Sequence, residues 1–466
     1  MGESYDIRRL RLSIEQSRAE LEAERAELKS EVSMELQTPE LEVISESKWD
    51  SDLGRNVIER ENSRHWQANL SVRQPAILFG WPTNGYLSLN NVLYRGREVE
   101  PGSDDVAIRY YNRYFIQYEQ PLFQPNELQN SLQEARLNLE EQELNFHQDV
   151  VEIYTDLASD YFELYERAYA QKIYRSLLAG LEDALRIAEN RATRDTSAAV
   201  EISPIRVELT NAQEQLNSEQ SEFRIRTAEL KQQLRLREQD SIYVDPSLEI
   251  TPVSVSEEQA LDLGMNLRPS LRELQIDRQQ SAIELDNTKG EDSFQASLEL
   301  SYGLENNTRY FDRLWGKPAN SYTASVNVEI PIWDWGAHDK RVQAQQVEFQ
   351  QAKLEIDETR EEIRSDITQA IRNLKEFQER TLSMEENLDI ARQNTTQRLQ
   401  QFRQQEISTL ELLQTLQRQR QTAENFLDAY LGYREARVSL QALTFYDFRR
   451  NQPLIDRFKV SVDPEE

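Results

Sequence analysis

The segment Glu119-Gln120-Pro121-Leu122-Phe123 recurs as Glu329-Ile330-Pro331-Ile332-Trp333, an offset of 210 residues. The offset persists downstream. Glu152-Ile153 answers Glu362-Ile363, Asp156 answers Asp366, Leu164 answers Leu374, Glu201 answers Glu411 and Leu230 answers Leu440. One offset held over about 110 residues marks a duplicated unit, so the fold must be built from two related halves. Each half reads as a strand followed by a very long helical pair.

Helix breakers mark out the rods. From Asn126 to Ser203 there is no proline and a single glycine, Gly180; from Ala337 to Leu431 there is neither. The stretch from Ala337 to Gln400 would make a rod of about 100 Å. Along it Val342, Phe349, Ile356, Ile363, Ala370, Phe377, Met384 and Ala391 follow at steps of seven, with Ile367, Leu374 and Leu388 at the second seam position. That is a coiled-coil repeat. The spacing predicts a partner helix from Ser408 to Leu443, with a reversal over Gln400–Ile407. In the first half it predicts helices from Asn126 to Arg191 and from Pro204 to Leu236, reversing near Thr193–Thr196. An earlier helix is expected over Ile7–Met34, with a strand near Leu41–Ile44. Only 38% of the 466 residues are hydrophobic and 29% are charged, which suits long helices with narrow apolar stripes.

The strand-like parts alternate at period two. Phe294, Ala296, Leu298, Leu300, Tyr302 and Leu304 interleave with Ser293, Gln295, Ser297, Glu299, Ser301 and Gly303; Tyr322, Ala324, Val326, Val328 and Ile330 interleave with Thr323, Ser325, Asn327 and Glu329. About ten residues with one apolar and one polar face fit a membrane strand of a β-barrel, and equally a half-buried strand of a soluble sheet. The aromatic residues favour the membrane. Tyr310, Phe311 and Trp315 stand at one end of this pair and Trp333 and Trp335 at the other, as interfacial girdles do. In the first half Trp66–Val72 and Tyr110–Glu119 alternate less regularly. The stretch Pro75–Gly102 between them reads as a loop or hairpin outside the membrane. About four strands per chain cannot close a barrel, and an open edge is not tolerated in lipid, so any barrel must be shared between protomers.

These pieces resemble the TolC-like outer membrane efflux protein family. The resemblance rests on Val328-Glu329-Ile330-Pro331-Ile332-Trp333-Asp334-Trp335-Gly336 at the strand-to-helix joint and on the entry helix Glu258–Leu263 with Asn266–Leu271. It rests also on the tip Ile407-Ser408-Thr409-Leu410-Glu411-Leu412-Leu413-Gln414. It covers Ser256–Phe445 well and Tyr110–Leu236 more weakly. It implies an α+β membrane protein whose homotrimer forms a twelve-strand β-barrel continued by an α-helical tunnel. This would be the outer-membrane duct of a tripartite efflux or secretion system, meeting a periplasmic adaptor (membrane fusion) protein and an inner-membrane efflux pump or ABC transporter. The location implied is the outer membrane of a Gram-negative bacterium, with contact to its lipid and a periplasmic extension. The N-terminus, Met1–Asp6, is polar and reads as lacking a signal peptide.

The expected organisation is a first repeat at 1–240, a linker at 241–255, a second repeat at 256–446 and a tail at 447–466. Candidate tunnel-gate residues are Glu411, Gln414 and Glu201, where three-fold symmetry would stack like charges; the plain alternative is a carboxylate favoured by the helix dipole at a helix start. Candidate barrel-lumen residues are Glu299, Asn327 and Glu329. Candidate adaptor-contact tips are Arg403, Gln405, Ser408, Arg194 and Thr196. Three departures from the family pattern stand out: Gln405 where the tip usually has glycine, Gln414 where an acid is usual, and no entry helix in the first half.

Other classes fit less well. A net charge of −29 argues against nucleic acid, which needs a basic footprint. The absence of cysteine removes thiolate metal sites and cysteine nucleophiles. His65, His147 and His338 show no ligand spacing, and His147 and His338 read as solvated; no phosphate loop or nucleophile elbow occurs, so neither an enzyme nor a cofactor is expected. A structural periplasmic coiled-coil protein without channel activity accounts for the heptads but not for strands recurring at the same place in both halves.

Overall fold

The computed structural model describes residues 5–51, 54–99, 106–193, 200–237 and 239–458. The chain divides into two compact units. One comprises Met1–Ile14, Gln142–Gln275 and Glu355–Glu466, the other Glu15–Glu141 and Ile276–Leu354.

The second unit is built on a six-stranded antiparallel sheet in sequential order: β1 (Glu31–Asp50), β2 (Arg55–Leu78), β3 (Trp81–Val99), β4 (Val106–Leu122), β5 (Gln295–Thr308) and β6 (Ala319–Glu329). The sequence reading of about four strands is exceeded by two. Pro75–Gly102, expected as a loop or hairpin outside the membrane, contains the end of β2 and the whole of β3. Pro75 is tolerated where the β2–β3 register shifts, and the chain reverses at Phe79 and Gly80, both at positive φ. The Asn90-Asn91 pair inside β3 interrupts the alternation that marks β5 and β6. The first helix is also shorter than expected. It ends at Glu27 (α1, Tyr5–Glu27), and Glu31–Met34 enter β1. The strand expected near Leu41–Ile44 lies inside β1.

The first unit is helical. The rods match the breaker-free stretches: α2 (Glu127–Ala192), α3 (Ile202–Gln233), α6 (Ala337–Arg403) and α7 (Thr409–Thr444), with the shorter α4 (Glu257–Leu267) and α5 (Pro269–Gly290) before β5; residues 127–141, 276–290 and 337–354 of these helices count with the second unit. The seam residues Ile356, Ile363, Ile367, Ala370, Leu374 and Leu388 are buried as the heptads require. The connector at 241–255 has no regular secondary structure and is tied down by tyrosine hydroxyls. Tyr165 Oη donates to the Ser247 carbonyl at 2.6 Å and Tyr433 Oη to the Thr251 carbonyl at 2.7 Å.

Besides the number of strands, the two repeats differ at the entry helix. In the second, α4 packs against Ile363, Ile367, Tyr433 and Leu440, and Arg268 at its end lies 4.0 Å from Asp366. In the first, a cavity of about 320 Å3 is lined by Ile153, Asp156, Leu157 and Gln233. Ile153, Asp156 and Leu157 stand 210 residues before Ile363, Asp366 and Ile367, so this cavity occupies the position that α4 fills in the other half.

Candidate functional site

The tip joining α6 to α7 is closed by two local devices. At the end of α6 the Gln405 N–H donates to the Phe402 carbonyl at 3.1 Å and the Glu406 N–H to the Gln401 carbonyl at 3.0 Å. This is a Schellman pattern, which needs a left-handed residue at its centre. Gln405 supplies it with φ +62, doing the work of the glycine usual in the family. At the start of α7, Ser408 is the N-cap. Its N–H donates to a Glu411 carboxylate oxygen at 3.0 Å, and the Glu411 N–H donates to Ser408 Oγ at 3.3 Å. Glu411 therefore closes a capping box. Gln414, one turn on, is exposed, as are Arg403, Gln405, Ser408 and Glu411.

Around this tip a core of Leu178, Leu181, Ala184, Ala188, Ile205, Phe402, Leu412 and Leu416 joins all four rods. Charged residues that the sequence reading did not single out frame it. Arg191 lies over the Phe402 ring at 4.2 Å and pairs with Glu201 at 3.2 Å. Asp183 pairs with Arg403 at 2.7 Å and with Arg186 one turn on. Hydrogen bonds from Arg186, then Arg403, hold the Asp183 carboxyl below its ordinary range. Three of the tip candidates are thus already engaged by neighbours: Glu201 by Arg191, Arg403 by Asp183 and Glu411 by Ser408. The Asp183–Arg186 spacing was legible as a helical i, i+3 pair. The pairing to Arg403 was not, because it joins residues far apart in sequence. Arg194 and Thr196 lie outside the described residues.

The sheet brings the other candidates onto one face. Glu299, Asn327 and Glu329 share the side occupied by Gln117, Ser301 and Thr323, as the pairing register requires. Gln117 Nε2 donates to Glu299 Oε1 at 3.0 Å, and Glu119 stands directly opposite Glu299. Asn327 and Glu329 are exposed on the edge strand β6. The sidedness is the reverse of a soluble sheet. Ser301 and Asn90 on the polar face are 8% exposed, whereas Ile116 and Tyr302 on the apolar face are 49% and 54% exposed. Aromatic residues stand at both ends of the β5–β6 pair. Tyr110, Phe311 and Trp315 make edge contacts at one, and Trp333 and Trp335 at the other.

No group of His, Cys, Asp or Glu suited to holding a metal ion occurs among the described residues. His147, expected to be solvated, is partly buried against Phe146, and burial lowers its pKa.

The open antiparallel sheet with its apolar exposed face leads, through β4 and β6, into two long rods, α2 and α6, of 66 and 67 residues. Residues 265–444 match the model of the outer membrane efflux protein family, so the resemblance to TolC-like proteins read from the motifs holds. The fold is similar to that of the outer membrane protein VceC from Vibrio cholerae, at 11% identity and TM-score 0.68, over 95% of this chain and 93% of that one. It is also similar to the MtrE outer membrane channel of Neisseria gonorrhoeae (12% identity, TM-score 0.62, 95% and 86% covered). The CmeC outer membrane channel of Campylobacter jejuni is a third likeness (12% identity, TM-score 0.60, 98% and 87% covered). No curated protein matches the chain by sequence.

Proposed function

We propose that the protein is the outer-membrane duct of a tripartite efflux or secretion system in a Gram-negative bacterium. Three copies share one barrel, and their helical hairpins form a tunnel that receives cargo from a periplasmic adaptor and an inner-membrane efflux pump or ABC transporter. The observation that carries this reading is the inverted sidedness of the sheet. Its apolar residues point to the surroundings and its polar residues to the sheltered face, which is favourable when the surroundings are hydrocarbon and the interior is water. The two unpaired edges, β1 and β6, add a second reason. Unpaired strand edges are not tolerated in lipid, and pairing between protomers satisfies them.

Within this reading Glu299, Asn327 and Glu329 line the lumen, Glu411, Gln414 and Glu201 stand nearest the tunnel tip, and Arg403, Gln405, Ser408, Arg194 and Thr196 meet the adaptor. The duct does no covalent chemistry. Its contribution is an aqueous path lined by polar side chains. Two measurements test the proposal together: extraction from outer membranes, which must require detergent, and conductance in a planar bilayer. Protein that stays soluble without detergent and gives no conductance is a structural coiled coil instead.

A further inference from the structure

We propose that all six strands stand in the membrane wall, so that a trimer closes at eighteen strands, not at the twelve implied by the family resemblance, and lipid chains cover the outer face of β2 and β3. The inference rests on the membrane reading above and extends it to the strands before Tyr110, which the resemblance does not cover.

The pairing register carries the argument. Val32, Val72, Leu89, Ile116, Tyr302 and Tyr322 are successive cross-strand partners, one on each of the six strands. They form one unbroken apolar row across the sheet. The adjacent row, Glu31, Arg73, Ser88, Gln117, Ser301 and Thr323, is polar on every strand. Side chains in adjacent rows point to opposite faces, so β2 and β3 carry the same apolar-out, polar-in pattern as β4, β5 and β6 at the same height. A hairpin lying in water would gain nothing from an apolar outer row: Leu89 is 53% exposed and Leu87 is 47% exposed in the single chain. The polar interruption on the outer face is partly paired: Asn91 Nδ2 donates to Asn112 Oδ1 at 2.7 Å and to the Arg113 carbonyl at 3.3 Å, across β3 and β4. Barrel diameter grows roughly in proportion to strand number, so eighteen strands make a pore about one and a half times as wide as twelve. Cargo of larger cross-section is the functional consequence.

The chain has no cysteine, so single spin labels can be placed without background. Val72→Cys and Leu89→Cys probe β2 and β3; Ile116→Cys and Tyr302→Cys probe the same row on β4 and β5. Each variant is labelled in the full-length protein reconstituted in phosphatidylcholine vesicles. The expected result at all four positions is strong relaxation by oxygen and loss of relaxation by a water-soluble nickel chelate. Nickel access at positions 72 and 89, with positions 116 and 302 protected, overturns the eighteen-strand wall and leaves the channel reading standing. Nickel access at all four overturns both.

Discussion

Ser408 and Glu411 close the first turn of α7 on each other, each backbone N–H bound by the other's side chain at 3.0 and 3.3 Å. A glutamate proposed for the tunnel gate thus also has a structural duty, and the two can be separated. Glutamine also completes a capping box, so Glu411→Gln removes the charge and keeps the cap. The expected outcome is altered cation block or conductance in planar bilayers with an unchanged unfolding midpoint. Unchanged conductance and selectivity would remove the gate role. Ser408→Ala removes the cap instead and is expected to cost about 1 kcal/mol, read from denaturant unfolding.

Gln405 holds φ +62 at the centre of the α6 C-terminal motif. A left-handed conformation costs a residue with a Cβ about 1–2 kcal/mol, part of which glycine loses again through its greater freedom in the unfolded chain. Gln405→Gly is expected to stabilise by about 0.5–1 kcal/mol. A lower unfolding midpoint would show that the glutamine side chain supplies a contact worth more than the strain.

Asp183 is held below its ordinary pKa by Arg186 and Arg403. A carboxyl depressed in the folded state contributes stability that is present above its unfolded value, about 3.9, and is lost as pH falls through the lower folded value. Unfolding curves recorded from about pH 5 down to about pH 2 should therefore show a steeper loss for the parent than for Asp183→Asn. Parallel curves would mean that the two arginines do not perturb this group.

The hydroxyl of Tyr433 holds the connector at Thr251, at 2.7 Å, from a ring buried between α6 and α7. Tyr433→Phe keeps the ring and removes the tie. A loss of about 1 kcal/mol is expected, with faster amide hydrogen exchange confined to residues 241–255. Exchange that rises equally along α7 would locate the effect in the helix packing.

How much of this could be read beforehand depended on the range of each interaction. The seam from Ile356 to Leu388 follows from spacing, because a helix brings residues seven apart onto one stripe whatever surrounds it. The alternation of β5 and β6 was legible for the same reason, being a period-two property of about ten consecutive residues. Strand β3 was not. Asn90 and Asn91 break its pattern, and only their position between β2 and β4 shows what they do. Of the tip residues, Ser408 and Glu411 are local partners, while Arg403 meets Asp183 from a different rod.

The rods, their seams and the two-faced strands were legible in the order of residues, because each depends on neighbours along the chain, and the duplication was legible from the repeated offset of 210 residues. Folding in three dimensions settled the pairing of six strands in chain order, the hold of Arg191 and Asp183 on Glu201 and Arg403, and the cavity of the first repeat at the position α4 fills in the second. Each of these is a pairing between distant segments. Such pairings depend on which surfaces meet in space, and the periodicity of a single segment does not specify its partner.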